Sequence, residues 1–161
     1  MPHDSAAIAN EFLRLANAEG NGLTQMQLQK LVYIAHGWSL ALLGTPLVND
    51  RIEAWDYGPV IPSLRAELRS YGRSAVSEPI RKRGLGWAPK TVSSNLSDDE
   101  VALIQRVYQS YGHMSGETLS RITHKRETPW SNAFSRGQNT TISDDEIVRH
   151  YKSLISNRNA T

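Results

Sequence analysis

A mainly α-helical single domain of about six helices, with a small β-hairpin or short sheet around residues 50–80, is what this 161-residue sequence predicts. Three observations lead there. Apolar residues recur at three- and four-residue spacing in most segments, and several segments open with helix-capping patterns: Thr24-Gln25-Met26-Gln27, Ser97-Asp98-Asp99-Glu100 and Ser143-Asp144-Asp145-Glu146. Two-residue alternation is confined to a short stretch, Arg51 to Asp56, and a weaker one, Ala75 to Ile80. A chain of this length buries roughly 70% of its unfolded surface, enough for one core and cramped for two. The domain is therefore expected to span residues 1–161, with its core over about residues 6–155.

The first helix is expected behind Ser5, a good cap, with Ile8, Phe12, Leu15 and Ala16 inward and Gly20 and Gly22 closing it. The second opens at Thr24 and carries Leu28, Leu31, Val32, Ala35, Trp38 and Leu42 on one broad face, widened by Ile34, Leu40, Ala41 and Leu43, until Gly44. A helix that is apolar nearly all round is a buried one, so this element should be central. Lys30, Tyr33 and His36 are its polar exceptions and need partners.

Arg51 to Asp56 reads as a strand with Ile52, Ala54 and Asp56 on one side and Glu53 and Trp55 on the other. Pro62 starts a helix with Leu64, Leu68 and Tyr71 inward and Gly72 at its end. Ala75 to Ile80 reads as a second short strand that Pro79 confines to an edge or terminates. Residues 81–96 read as a mobile connector anchored by Leu85, Trp87 and Val92. Behind the Ser97 box, Val101, Ile104, Val107, Tyr108 and Tyr111 form one face up to Gly112, and Leu119, Ile122 and Thr123 follow in a shorter helix. Pro129-Trp130 begins a turn that runs helically to Phe134. Ile147, Tyr151, Leu154 and Ile155 face inward from the last helix.

Composition excludes several classes of function. The chain holds no cysteine, which removes thiol catalysis, disulfides and cysteine-based zinc sites and suits a cytoplasmic location. No apolar run approaches the ~20 residues of a membrane span, and Pro2-His3-Asp4-Ser5 lacks the basic start of a signal peptide. Net charge is only +2, and a single run, Arg81-Lys82-Arg83, concentrates positive charge. A solvated loop explains that run better than a phosphate-binding patch.

The residues carry little catalytic signal. His3, His36, His113, His124 and His150 show no close pair at ligand spacing and no HExxH pattern, so no metal or cofactor is expected. His36 reads as a histidine hydrogen-bonded within the core, and His124 as one near a helix end. Neither a nucleophile elbow nor a phosphate-binding glycine loop occurs. Glu53 and Asp56 fall on opposite faces of a strand unless the turn begins early, which favours ion pairing of Glu53 with Lys30 or an arginine over acid–base work. A helix-turn-helix across Gly20 to Thr24 is disfavoured because the second helix is apolar where a recognition helix is polar. Only Gln25 to Lys30 could read base edges.

The densest feature is Glu53-Ala54-Trp55-Asp56-Tyr57-Gly58-Pro59-Val60-Ile61-Pro62, in which two aromatics, two prolines, a glycine and two carboxylates share ten residues. Such a sequence makes a rigid aromatic corner that braces a core or presents a binding surface. Together with Leu28-Gln29-Lys30-Leu31-Val32-Tyr33-Ile34-Ala35-His36, it resembles the Panacea domain family of SocA-like antitoxins, and Tyr71-Gly72 and Thr123-His124 to Pro129-Trp130 match further markers in the same order. The resemblance covers about residues 6–155.

The resemblance implies a bacterial or phage-borne antitoxin, without enzyme activity, that binds and neutralises a cognate toxin encoded nearby. It implies Lys30, Tyr33, His36, Glu53, Trp55, Tyr57, Gly58, Pro59, His124 and Trp130 as the family-motif positions. On this reading Lys30 pairs with Glu53 beneath the corner, while Trp55, Tyr57 and Trp87 border the partner surface. A protease-adapter role found in one family member is not carried over, because no docking tag is legible. A DNA-binding autoregulator is the alternative, followed by a hydrolase; the oligomeric state is left open.

Overall fold

The structure, a computed structural model, describes residues 2–84 and 88–159. Helix α1 (Ser5–Ala18) is capped by Asp4 rather than Ser5: the Asp4 carboxylate accepts from the Ala6 N–H at 2.9 Å. Ser5 instead turns its hydroxyl and its N–H onto the Asp50 carboxylate, at 2.7 and 2.9 Å. A carboxylate in this position suits the positive helix start better than a hydroxyl does. The inward face runs through Ala6, Ile8, Ala9, Phe12, Leu13 and Ala16, with Leu15 only partly covered. After a cap at Glu19, Gly20 adopts φ +70°.

Helix α2 (Gln25–Trp38) begins with the expected reciprocal capping box between Thr24 and Gln27. Every residue from Leu28 to Gly37 is buried, and α2 packs against α1 and the later helices as the central element. Gly37 is required there: a Cβ on it would sit 2.2 Å from the ring of Tyr151. Beyond Trp38 the backbone widens into a π-helical turn, Ser39–Leu43, ended by Gly44 at φ +75°. That wider turn shifts the phase of the inner face. Ser39 and Leu40 point inward while Leu42, expected inside, is 56% exposed.

Strands β1 (Glu53–Trp55) and β2 (Gly58–Val60) form a hairpin with register Glu53↔Val60, Ala54↔Pro59 and Trp55↔Gly58. A third strand, β5 (Thr140–Thr141), joins β1 on its other side, so the sheet order is β2-β1-β5. Pro59 is tolerated because β2 is an edge strand. Helix α3 (Pro62–Leu68) then buries Leu64 and Leu68 and tightens into a short 3-10 turn through Tyr71, with Gly72 at φ +58°.

The segment from Ala75 onward departs from expectation. Ala75 makes only an isolated bridge to Thr24, and the second sheet pairs β3 (Arg81–Lys82) with β4 (Lys90–Thr91). Residues expected to be a connector thus form a hairpin. The Asn10 side chain holds it to α1, donating to the carbonyls of Ile80 and Val92, each at 2.9 Å, and accepting from the Ile80 N–H at 2.7 Å. Val92 and Leu96 pack on the core. Leu85 and Trp87, expected as anchors, lie outside the described residues.

Helices α4 (Asp98–Tyr111), α5 (Gly116–Thr123), α6 (Pro129–Ser135) and α7 (Asp144–Asn159) complete the chain. Ser97 and Glu100 form a full capping box at α4, and Thr128 with Ser131 forms one at α6. The fold is mainly helical, as predicted. One apolar cluster joins α1, α2, α3, α4 and α7 to the first sheet.

Candidate functional site: a braced aromatic corner

The β1–β2 hairpin turns on two residues, Asp56 and Tyr57, and projects Tyr57 with 69% of its surface exposed. Gly58 follows at φ +109°, a conformation closed to most side chains. A Cβ there would also press on the Lys30 Nζ at 3.1 Å and the Thr123 hydroxyl at 3.3 Å. Glycine is thus demanded twice, by backbone angle and by the helices behind it.

Three polar side chains from inside the protein hold the corner's backbone. Ser120 of α5 donates to the Tyr57 carbonyl at 2.6 Å. Lys30 of α2 donates to the Pro59 carbonyl at 2.8 Å. Its neighbour Gln29 donates to the Ile61 carbonyl at 3.1 Å and accepts from the Ile61 N–H at 2.9 Å, so one amide replaces a strand partner. Buried backbone groups left unpaired cost about 1–3 kcal/mol each, and these bonds remove that cost along the free edge of β2.

Lys30 is 2% exposed, and burial pushes its ammonium down to a pKa of about 7. The expected pairing with Glu53 does not form. Glu53 instead takes the arginine alternative, meeting Arg51 at 3.1 Å and accepting from the Trp55 indole N–H at 2.9 Å. The physical reason is facial: Glu53 and Trp55 share the half-buried face of β1, opposite the buried Ala54, whereas Lys30 reaches the hairpin from the core side.

The aromatic flank is continuous. Arg65 of α3 places its guanidinium 5.2 Å from the Trp55 ring centroid. Behind the strand, the Trp130 indole donates to the Trp55 carbonyl at 2.6 Å, stacks on Phe134 at 4.8 Å and meets His124 edge-on at 5.2 Å. His124 caps α5 and donates from Nδ1 to the Ser120 carbonyl. It thereby links Ser120 to Trp130.

Two motif residues lie elsewhere. His36 is 1% exposed near the far end of α2. Its Nδ1 accepts from the N–H groups of Leu47 and Val48, at 3.2 and 3.3 Å, so Nε2 carries the hydrogen donated to Asp144 at 2.8 Å. Tyr33 packs edge-on against Tyr151 at 6.3 Å, and burial, with a contribution from Glu146, raises its hydroxyl pKa. The cavity beside Tyr33 measures about 30 Å³, far below the ~300 Å³ of a small-molecule site.

Gln29 and Ser120 were absent from the expected site. A glutamine beside Lys30 within an otherwise apolar helix was the available signal, since a buried amide needs a backbone partner. Within the turn Gln25 to Lys30, which was expected to be able to face DNA, Gln29 and Lys30 are buried while Gln25, Met26 and Gln27 are half-buried. Among the described residues no group of histidines and carboxylates converges as metal ligands would, and no helix is long and apolar enough to cross a membrane.

Comparison with known proteins places these features in a wider set. Residues 28–131, which include every brace of the corner, match the family described as antitoxin SocA-like, Panacea domain. Over 140 residues the chain is 34% identical to Antitoxin SocA of Caulobacter vibrioides, covering 86% of this chain and 74% of that protein. No solved structure matches.

Proposed function

The chain belongs to the SocA-like Panacea domain family, and from that premise we propose that it is an antitoxin that neutralises a toxin by binding it directly, without enzymatic turnover. The carrying observation is the corner: Tyr57 stands exposed at the tip of a hairpin whose backbone is fixed from within by Gln29, Lys30 and Ser120. A preordered aromatic loses little conformational entropy on binding, and tyrosine, tryptophan and arginine dominate the energetics of protein interfaces. Tyr57, Trp55 and the overlying Arg65 supply all three types. Trp87 was grouped with them in the sequence reading but lies outside the described residues.

In this reading Lys30, Gly58, Pro59, His124 and Trp130 set the position of the corner, and Tyr57 and Trp55 make the contact. Tyr33 and His36 stabilise α2 beneath it. The partner is a toxin protein encoded beside this chain, and the protein acts in the cytoplasm, where such a toxin is made.

The test is co-expression with the product of the neighbouring gene, scoring growth and co-purification. Rescue of growth with a stable complex is expected, and Tyr57→Ala should lose both while folding normally. A toxic neighbour that the chain neither rescues nor binds would refute the proposal.

A further inference from the structure

Helix α1 and the chain around and after β4 enclose an open groove of about 360 Å³, none of whose lining residues braces the β1–β2 hairpin. One wall is the α1 stripe Ala7, Asn10, Glu11, Arg14 and Asn17; the other is Thr91, Val92, Ser93 and Ser94, with Leu13, Pro79 and Leu96 supplying apolar contact. We propose that this groove is a second binding site, which takes an extended, acidic segment of a protein partner.

Shape argues for an extended chain. From Ala7 to Asn17 the α1 wall runs about 15 Å, the length of four or five residues in strand conformation. The facing sheet has only two strands among the described residues, so an incoming strand can add to it through backbone hydrogen bonds. The groove is also preformed, because Asn10 spends its whole amide on the backbone of Ile80 and Val92 and thereby clamps the hairpin to α1.

Charge selects the occupant. Residues 79–96 contain Arg81, Lys82, Arg83 and Lys90 and no aspartate or glutamate. Lys82 is answered by Asp4 at 2.9 Å, but Arg81, Arg83 and Lys90 are exposed and make no ion pair among the described residues. Arg81 stands opposite Thr91, a wall residue, in the β3–β4 register. On the α1 wall Glu11 and Arg14 are paired with each other, so the groove's own lining carries no net charge and the free cations are those of the adjoining β3–β4 hairpin. Alternating acidic and apolar side chains would meet the cations and the Leu13–Val92–Leu96 surface in turn.

The probe is a blocked pentapeptide of alternating glutamate and valine, titrated into the full chain and followed by amide chemical shifts. Shifts are expected at residues 7–17 and 90–96, with affinity at least fivefold above that of the lysine–valine counterpart and falling between 50 and 300 mM salt. Arg81→Glu with Lys90→Glu should weaken binding at least fivefold, and Tyr57→Ala should leave it unchanged, which separates this site from the corner. No shifts at millimolar peptide, equal binding of the basic peptide, indifference to the double substitution, or stronger shifts at the same residues with a single-stranded oligonucleotide would each overturn the proposal.

Discussion

Lys30 Nζ donates to the carbonyl of Pro59 at 2.8 Å in a site that is 2% exposed, and among the described residues no carboxylate lies within ion-pair reach. A lysine so placed is a hydrogen-bond donor first and a charge second. Proline cannot donate to a strand partner, but its carbonyl still needs a hydrogen, and a long flexible side chain from α2 delivers one.

That arrangement makes stability depend on pH in a specific sense. The folded pKa of about 7 lies below the ~10.4 of an unfolded lysine. Between these values the unfolded chain holds a proton that the native chain lacks, so Lys30 favours folding progressively as pH rises from 7 toward 10. Below pH 7 its full destabilising effect is present. Relative to Lys30→Met, the wild-type protein should gain about 2–3 kcal/mol between pH 7 and pH 9.5 in denaturant melts. Parallel curves for the two proteins would show that Lys30 is charged when folded.

Gly37 lies beneath Tyr151 with no room for a methyl group. Gly37→Ala should destabilise the protein by about 2–3 kcal/mol through overpacking, lowering the thermal midpoint. Gly20→Ala is the control, since nothing lies within 4 Å of its added Cβ and only the φ of +70° opposes it; its cost should be about 1 kcal/mol.

The His36 imidazole gathers three groups from two separate parts of the chain, and removal should expose them unequally. His36→Ala leaves the N–H groups of Leu47 and Val48 without their acceptor, a loss of about 2–4 kcal/mol. Amide exchange at Leu47 and Val48 should quicken before the global unfolding rate is reached. Asp144 is half exposed, and Asp144→Asn keeps an acceptor oxygen, so that variant should change stability by less than about 1 kcal/mol.

Tyr57→Ala should leave the melting curve within about 0.5 kcal/mol of wild type, because the ring is mostly in solvent. Toxin affinity, measured by calorimetry on the complex, should fall at least tenfold. Unchanged affinity in a normally folded variant would move the toxin contact away from the corner.

Much of the helical scaffold was legible in local sequence. Thr24 with Gln27 and Ser97 with Glu100 announced helix starts, because capping residues act within one turn and need no distant partner. The alternation of Ile52 and Ala54 against Glu53 and Trp55 likewise placed β1. Features that failed depend on contacts across the chain. Ser5 lost the cap to Asp4 once Asp50, 45 residues away, claimed its hydroxyl. Residues 81–82 paired with 90–91 because Asn10 on α1 offered their hairpin an anchor.

For the candidate site, sequence alone determined that residues 53–62 form a rigid, aromatic, proline-bounded corner, since backbone restriction by proline and glycine is a property of each residue. It also marked Lys30, Tyr33 and His36 as polar residues in an apolar helix that must find partners. Which partners they find was decided only in three dimensions: the Pro59 carbonyl for Lys30, the Tyr151 ring for Tyr33, and the Leu47–Val48 backbone with Asp144 for His36. A charge in a sequence carries no record of the side from which it approaches. Lys30 meets the hairpin from the core and Glu53 leaves β1 on its other face, toward Arg51 and the Trp55 indole, so the pair that charge alone suggested is separated by the sheet itself.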